Sequence, residues 1–101
     1  DKDLSQLELM IELCQFSIEQ RSRWAEWLQL AFCQELAGDY RSSLNSVRKS
    51  IELCQSRNGH AMPSHWGLVA ICNYKQGRLE AAKKALIKAN RSLSFVKDDD
   101  N

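Results

Sequence analysis

Four side chains in the middle of the chain, Cys54, His60, His65 and Cys72, are of the types that hold a transition metal, with intervening gaps of five, four and six residues. Protein zinc sites use tighter paired spacings of the C-x2–4-C kind, because a short loop must bring two ligands onto one tetrahedral ion. The gaps here do not meet that demand. The plainer reading is two buried thiols and two histidines in a solvated loop around Pro63. A Cys–His pair could also serve as a nucleophile, since a neighbouring imidazole activates a thiol. No Gly-rich oxyanion loop or third orienting motif accompanies it, so no catalytic residue, metal or cofactor is expected.

The cysteines also have a bulk pattern. Cys14, Cys33, Cys54 and Cys72 are spaced 19, 21 and 18 apart, one in each of the first four helical segments, with no C-x-x-C pair. Such placement suits small buried hydrophobes in a reducing compartment, so a cytoplasmic or nuclear setting is expected rather than a disulfide framework. Charge gives no strong global field, because fourteen basic and thirteen acidic residues leave +1. Lys83, Lys84, Lys88 and Arg91 make the last helix basic, which could touch RNA, phospholipid or an acidic protein. They are read as a solvated face beside a packing stripe of Ala82, Leu86, Ala89 and Leu93, and nucleic acid is not an expected partner.

The elements that must carry these residues are helical. Apolar positions 4, 7, 11, 14 and 18 advance in three- and four-residue steps, as on one side of an amphipathic helix. A second series runs Trp24, Trp27, Leu28, Ala31, Leu36, with Ser22 placed to cap it and Gly38 to end it. Asp39 can cap a third helix bearing Tyr40, Leu44, Val47, Ile51 and Cys54, which Arg57-Asn58-Gly59 ends. Pro63 suits the first turn of a fourth, closed by Gly77, and a fifth spans about 79 to 95. No sustained period-two run appears, so the expectation is an all-α fold of five helices, with tight Gly-Asp and Gly-Arg turns implying antiparallel pairs. No apolar run approaches the ~20 residues of a membrane-spanning helix.

The chain is also a repeat. Ile11-Glu12-Leu13-Cys14-Gln15 recurs as Ile51-Glu52-Leu53-Cys54-Gln55, forty residues on, while Trp27 and Trp66, and Gly38 and Gly77, lie 39 apart. Self-similarity at this period marks stacked supersecondary units that present an extended surface. One domain is expected over residues 1–97, with 98–101 an acidic tail. The start at Asp1 and not at Met suggests a piece of a longer polypeptide.

At these positions the sequence resembles the tetratricopeptide repeat family, in its long-period variety. Trp66, Ala70, the run Tyr74-Lys75-Gln76-Gly77, Leu79, Ala82 and Ala89 match the family's pattern in the second unit; Trp27, Leu30, Ala31, Gly38 and Tyr40 match it in the first. The period of 39 to 40 exceeds the family's about 34. Ser43 and Ser50 stand where the family prefers Ala, and Gln34 and Asn73 where it often has an aromatic residue. Leu4 to Glu19 looks like the second helix of a preceding repeat.

The resemblance implies a right-handed superhelix of about two and a half repeats, a non-enzymatic adaptor whose concave groove holds a peptide or a partner helix. Carried over by position, the groove would expose Ala25, Leu28, Gln29, Phe32, Glu35 and Leu36, then Ser64, Leu68, Ile71, Tyr74 and Lys75. Its apolar members would favour an apolar or amphipathic ligand, and they do not reproduce the Lys and Asn clamp of chaperone-binding members. Two rival readings accompany this one: an internal or dimerising slice of a longer superhelix, whose first helix (Leu7, Leu9, Met10, Leu13, Phe16) packs against another helix or a second copy, or the regulatory domain of a larger enzyme.

Overall fold

The computed structural model describes the backbone of residues 2–100 and the side chains of residues 5–93. Among the described residues the chain forms five helices and no strand: α1 (Lys2–Gln20), α2 (Trp24–Leu36), α3 (Tyr40–Asn58), α4 (Pro63–Lys75) and α5 (Leu79–Asp100). The outer two are longer than their apolar periodicity predicts. α5 continues to Asp100, so the backbone of the expected acidic tail is helical as far as that residue. Asn101 and the side chains of Leu4, Phe95 and the three aspartates lie outside the described residues.

The helix ends follow local chemistry with one exception. Asp39 Oδ1 accepts from the Ser42 backbone N–H at 3.2 Å, and Pro63 opens α4. Ser22, expected to cap α2, does not; Arg23 holds the cap position without a side-chain bond, and the Ser22 hydroxyl instead accepts the Trp27 indole N–H at 2.9 Å. The indole therefore competes successfully for the oxygen that the helix end would have used.

The sequence repeat is also a geometric repeat. Gly38 and Gly77 have φ of 83° and 79°, Gly38 N–H donates to Glu35 O and Gly77 N–H to Tyr74 O, and Asp39 and Arg78 N–H donate to Gln34 and Asn73 O. These reversed bonds satisfy the last carbonyls of α2 and α4 in one way, through a left-handed residue that glycine adopts without a Cβ clash.

α2 packs chiefly on α3 and α4 chiefly on α5, α1 joins through α2, α3 meets α4, and α2 touches α4 lightly. The principal extents are 43 × 34 × 20 Å. A helix with side chains is about 10–12 Å across, so the thin dimension holds two layers and leaves each helix one open side. The larger core cluster gathers Ala31, Leu44, Val47, Ile51, Leu68 and Cys72, and a smaller one of Cys14, Leu30 and Cys33 ties α1 to α2.

The departures from the repeat pattern become intelligible at the α2–α3 seam. Ser43 and Ser50 are fully buried, and their hydroxyls donate to the backbone oxygens of Ala31 at 2.7 Å and Trp24 at 2.6 Å. Ser46 Oγ donates to Gln34 Oε1 at 2.7 Å. A serine is small enough for close helix approach, and each buried hydroxyl here has an acceptor. The stripe of α5 differs from expectation: Ala82, Ala85 and Ser92 are buried, while Leu86 and Leu93 are 53% and 47% exposed. Small residues let α5 lie close on α4, and the larger side chains rotate outward.

Candidate partner-binding surface

α2 presents to solvent the side opposite its buried Leu30, Ala31 and Gln34. There Phe32 is 39% and Leu36 66% exposed. Together with Ala25, Leu28 and Gln29 of α2 and Met10 of α1 they line an open groove of about 470 Å³. Its walls are almost wholly carbon, with Trp24 and Cys33 completing them. Leu28 is half-buried because its inner side also leans on the main core.

The other expected groove residues are distributed differently. Leu68 is 1% exposed and belongs to the main core, so it is withdrawn from the surface set. The reason is register: the side of α4 that faces α3 carries Leu68 and Cys72 inward together, four residues apart. Ile71 and Tyr74 are 44% and 65% exposed, and Lys75 and Ser64 are exposed too, yet none of them lines the groove beside Phe32. Glu35 is half-buried toward α4. Burial pushes the Cys72 thiol above its ordinary pKa, and the Glu35 carboxylate adds to that rise. Thus the groove joins α2 to α1, where the sequence pattern had joined α2 to α4. Met10 was expected only on the surface of the first helix, and Trp24 only in the apolar series of the second; no local signal placed them here.

The candidate chemical residues resolve into struts. His65, expected in a solvated loop, lies instead in the first turn of α4 with 0% exposure. Its Nδ1 accepts the Met62 backbone N–H at 2.9 Å, the reach-back that Glu or Gln performs in a capping box. Its Nε2 lies 2.7 Å from Ser50 Oγ, whose hydroxyl reaches the Trp24 carbonyl. Only one proton arrangement satisfies all three contacts: Nε2–H donates to Ser50 Oγ, and Ser50 O–H donates to Trp24 O. Burial holds the imidazole pKa down at about 4, in keeping with a neutral ring whose Nδ1 is already an acceptor. The Trp24 ring packs on it, centroids 5.4 Å apart. With both side chains fully buried, this Ser–His pair has no face open to a substrate.

Cys54 and Cys72 are likewise 0% exposed; Cys54 donates to His60 O and Cys72 to Ser43 Oγ, each at 3.4 Å. Among the described residues no group of three or more His, Cys, Asp or Glu is placed to hold a metal. Cys14 on α1 meets Cys33 on α2, and its thiol is pushed up to about 11, by burial first and then by its neighbour. No described helix is long and apolar enough to cross a membrane.

Comparison with protein-family models, curated proteins and solved structures finds no match to this chain.

Proposed function

We propose that the chain is a tetratricopeptide-like interaction module: a non-enzymatic scaffold of antiparallel helix pairs stacked as a right-handed superhelix, holding an apolar peptide or partner helix against α2. The pairing of α2 with α3 and α4 with α5, and the recurrence of one turn geometry at Gly38 and Gly77, support the architecture. The observation that carries the binding role is the open carbon-walled groove of about 470 Å³ around Leu28, Phe32 and Leu36. Its volume lies in the range of ligand pockets, and exposed Phe and Leu are the anchors that helix-in-groove recognition uses. Gln29 at the groove and Glu35, Tyr74 and Lys75 beyond it would set the register of a longer ligand.

A random peptide array probed with the folded chain tests this reading. Peptides that lose binding with Phe32→Glu, while Ile71→Lys weakens only the longer ones, place the ligand on α2 and extend it to α4. Binding indifferent to Phe32→Glu removes the groove from the function.

A second reading has its own support in α1, where Leu9, Leu13 and Phe16 are 56%, 56% and 59% exposed on one side of the helix. An apolar helical stripe of that kind packs against another helix, either of an adjoining repeat or of a second copy. Sedimentation that stays monomeric at high micromolar concentration would exclude the second copy.

A further inference from the structure

A different face of the molecule has the opposite character to the α2 groove. Between α3 and α5, floored by α4, lies a cleft of about 500 Å³ whose base is Ile51, Trp66, Val69 and Ala85. Four cations, Arg48, Arg78, Lys84 and Lys88, stand around it against a single carboxylate, Glu52, which faces Lys49 at 3.8 Å. Its Arg48 and Arg78 also border an adjoining basin of about 430 Å³, which adds Arg41 and contains no acidic residue. Among the described residues none of these five cations is ion-paired. Because the whole chain carries only +1, the excess is local to this face.

We propose that the α3–α5 cleft is a second docking site, for an acidic peptide segment that seats an apolar side chain on the Ile51–Val69–Ala85 floor and sets carboxylates against Arg48 and Arg78 at one end and Lys84 and Lys88 at the other. Arg78 and Lys88 are ten positions apart, about 15 Å along a helix, so the ligand's acidic groups flank its anchor at a separation of nearly three turns of helix. Arginines present a planar fork that takes a carboxylate in two parallel bonds, which makes the arginine end the specific one. Lys88 Nζ sits 4.6 Å from the centroid of the Trp66 ring. That contact holds the ammonium at the cleft wall before a ligand arrives, which lowers the ordering cost of binding. It also covers the indole face. Single-stranded nucleic acid binds basic grooves through free aromatic faces on which bases stack, and the floor here offers aliphatic side chains instead, so the occupant is a peptide.

The test is selection of a displayed random peptide library against the folded chain, followed by affinity measurement of the enriched sequences and mapping on 15N-labelled protein. The expected winners are acidic with a large apolar residue, and they shift the Trp66 indole N–H and the Lys84 and Lys88 amides while leaving Phe32 unmoved. Arg48→Glu with Arg78→Glu should weaken them by at least about tenfold with the helical spectrum intact, and Glu52→Gln should tighten them. Raising salt through the physiological range should weaken them further, as exposed charge contacts are screened within about 8–10 Å. The proposal fails if no peptide is enriched, if the winners lack an acidic excess or ignore the double arginine change, or if an oligouridylate binds the cleft more tightly than they do.

Discussion

Ser50 on α3 and His65 on α4 meet side chain to side chain at 2.7 Å, in a place where neither has exposed surface. This contact makes the α3–α4 junction a proton-sensitive one. The His65 pKa is about 4 when folded against 6.5 in an ordinary environment, so between those values the unfolded chain binds more protons. Its stabilising contribution is complete above the unfolded value and is lost as pH falls from 6.5 toward 4. A shift of that size corresponds to about 3 kcal/mol. Urea unfolding of wild type and His65→Leu across this range should show their stability difference shrinking by that order on acidification. A constant difference would mean that the imidazole does not titrate as the geometry requires.

The buried serines give a second prediction. Ser43 Oγ accepts from Cys72 and donates to Ala31 O, so one hydroxyl links α2, α3 and α4. Ser43→Ala removes one buried hydrogen bond at this seam, for a loss of about 1 kcal/mol. Ser43→Leu should cost more, about 1–3 kcal/mol, because a larger side chain must displace the Ala31 backbone and the Cys72 thiol that stand 2.7 and 3.4 Å from the Ser43 hydroxyl. Denaturant midpoints would rank the two, and equal values would show the seam to be looser than its contacts imply.

Gly38 and Gly77 should respond alike to substitution by alanine. Both have positive φ, and a Cβ at either would meet no heavy atom within 4 Å. The expected cost is thus purely conformational, about 1–2 kcal/mol at each turn. Thermal unfolding of the two single variants should show matched losses; strongly unequal ones would imply that the two turns are not equivalent in stability.

These turns were readable in the sequence because glycine, the following Asp or Arg, and the 39-residue offset all point to the same geometry. The same holds for the helix count and for the inward series Leu44, Val47, Ile51 and Cys54. What periodicity could not resolve was which of two adjacent apolar positions faces a neighbour. Leu68 and Ile71 are three apart on α4, yet one is core and the other surface, a choice set by how closely α3 approaches. Leu86 and Ala85 show the same ambiguity on α5, where the smaller residue takes the buried place. The cleft between α3 and α5 was illegible for another reason: Arg48 and Lys88 are forty positions apart, and only tertiary packing makes them neighbours.

Thiol chemistry supplies a kinetic prediction. With the Cys14 pKa at about 11, its thiolate fraction at pH 8 is on the order of a thousandth, against roughly a quarter for a thiol at the ordinary value near 8.5. Alkylation of Cys14 by iodoacetamide, followed by mass spectrometry, should therefore be at least about a hundredfold slower in the native chain than in urea. Cys54 and Cys72, with no exposed surface, should react only as the chain unfolds. Fast native labelling of Cys14 alone would show that α1 separates from α2.

The last prediction separates surface from core within one apolar set. Leu36 is well exposed at the groove and Phe32 partly so, at 39%, so Leu36→Glu should change stability by no more than about 0.5 kcal/mol and Phe32→Glu by about 1 kcal/mol, while both disrupt any α2 ligand. Leu68→Ala empties a fully enclosed site in the main core and should cost about 2–5 kcal/mol. Both kinds of change could abolish binding, but the second would lower the unfolding midpoint far more. Measured together, stability and peptide affinity should fall in parallel for Leu68→Ala and come apart for Phe32→Glu. A Phe32→Glu chain that unfolds as readily as Leu68→Ala would mean that Phe32 is covered in solution, and the groove would then be an internal or subunit contact rather than a site for a free ligand.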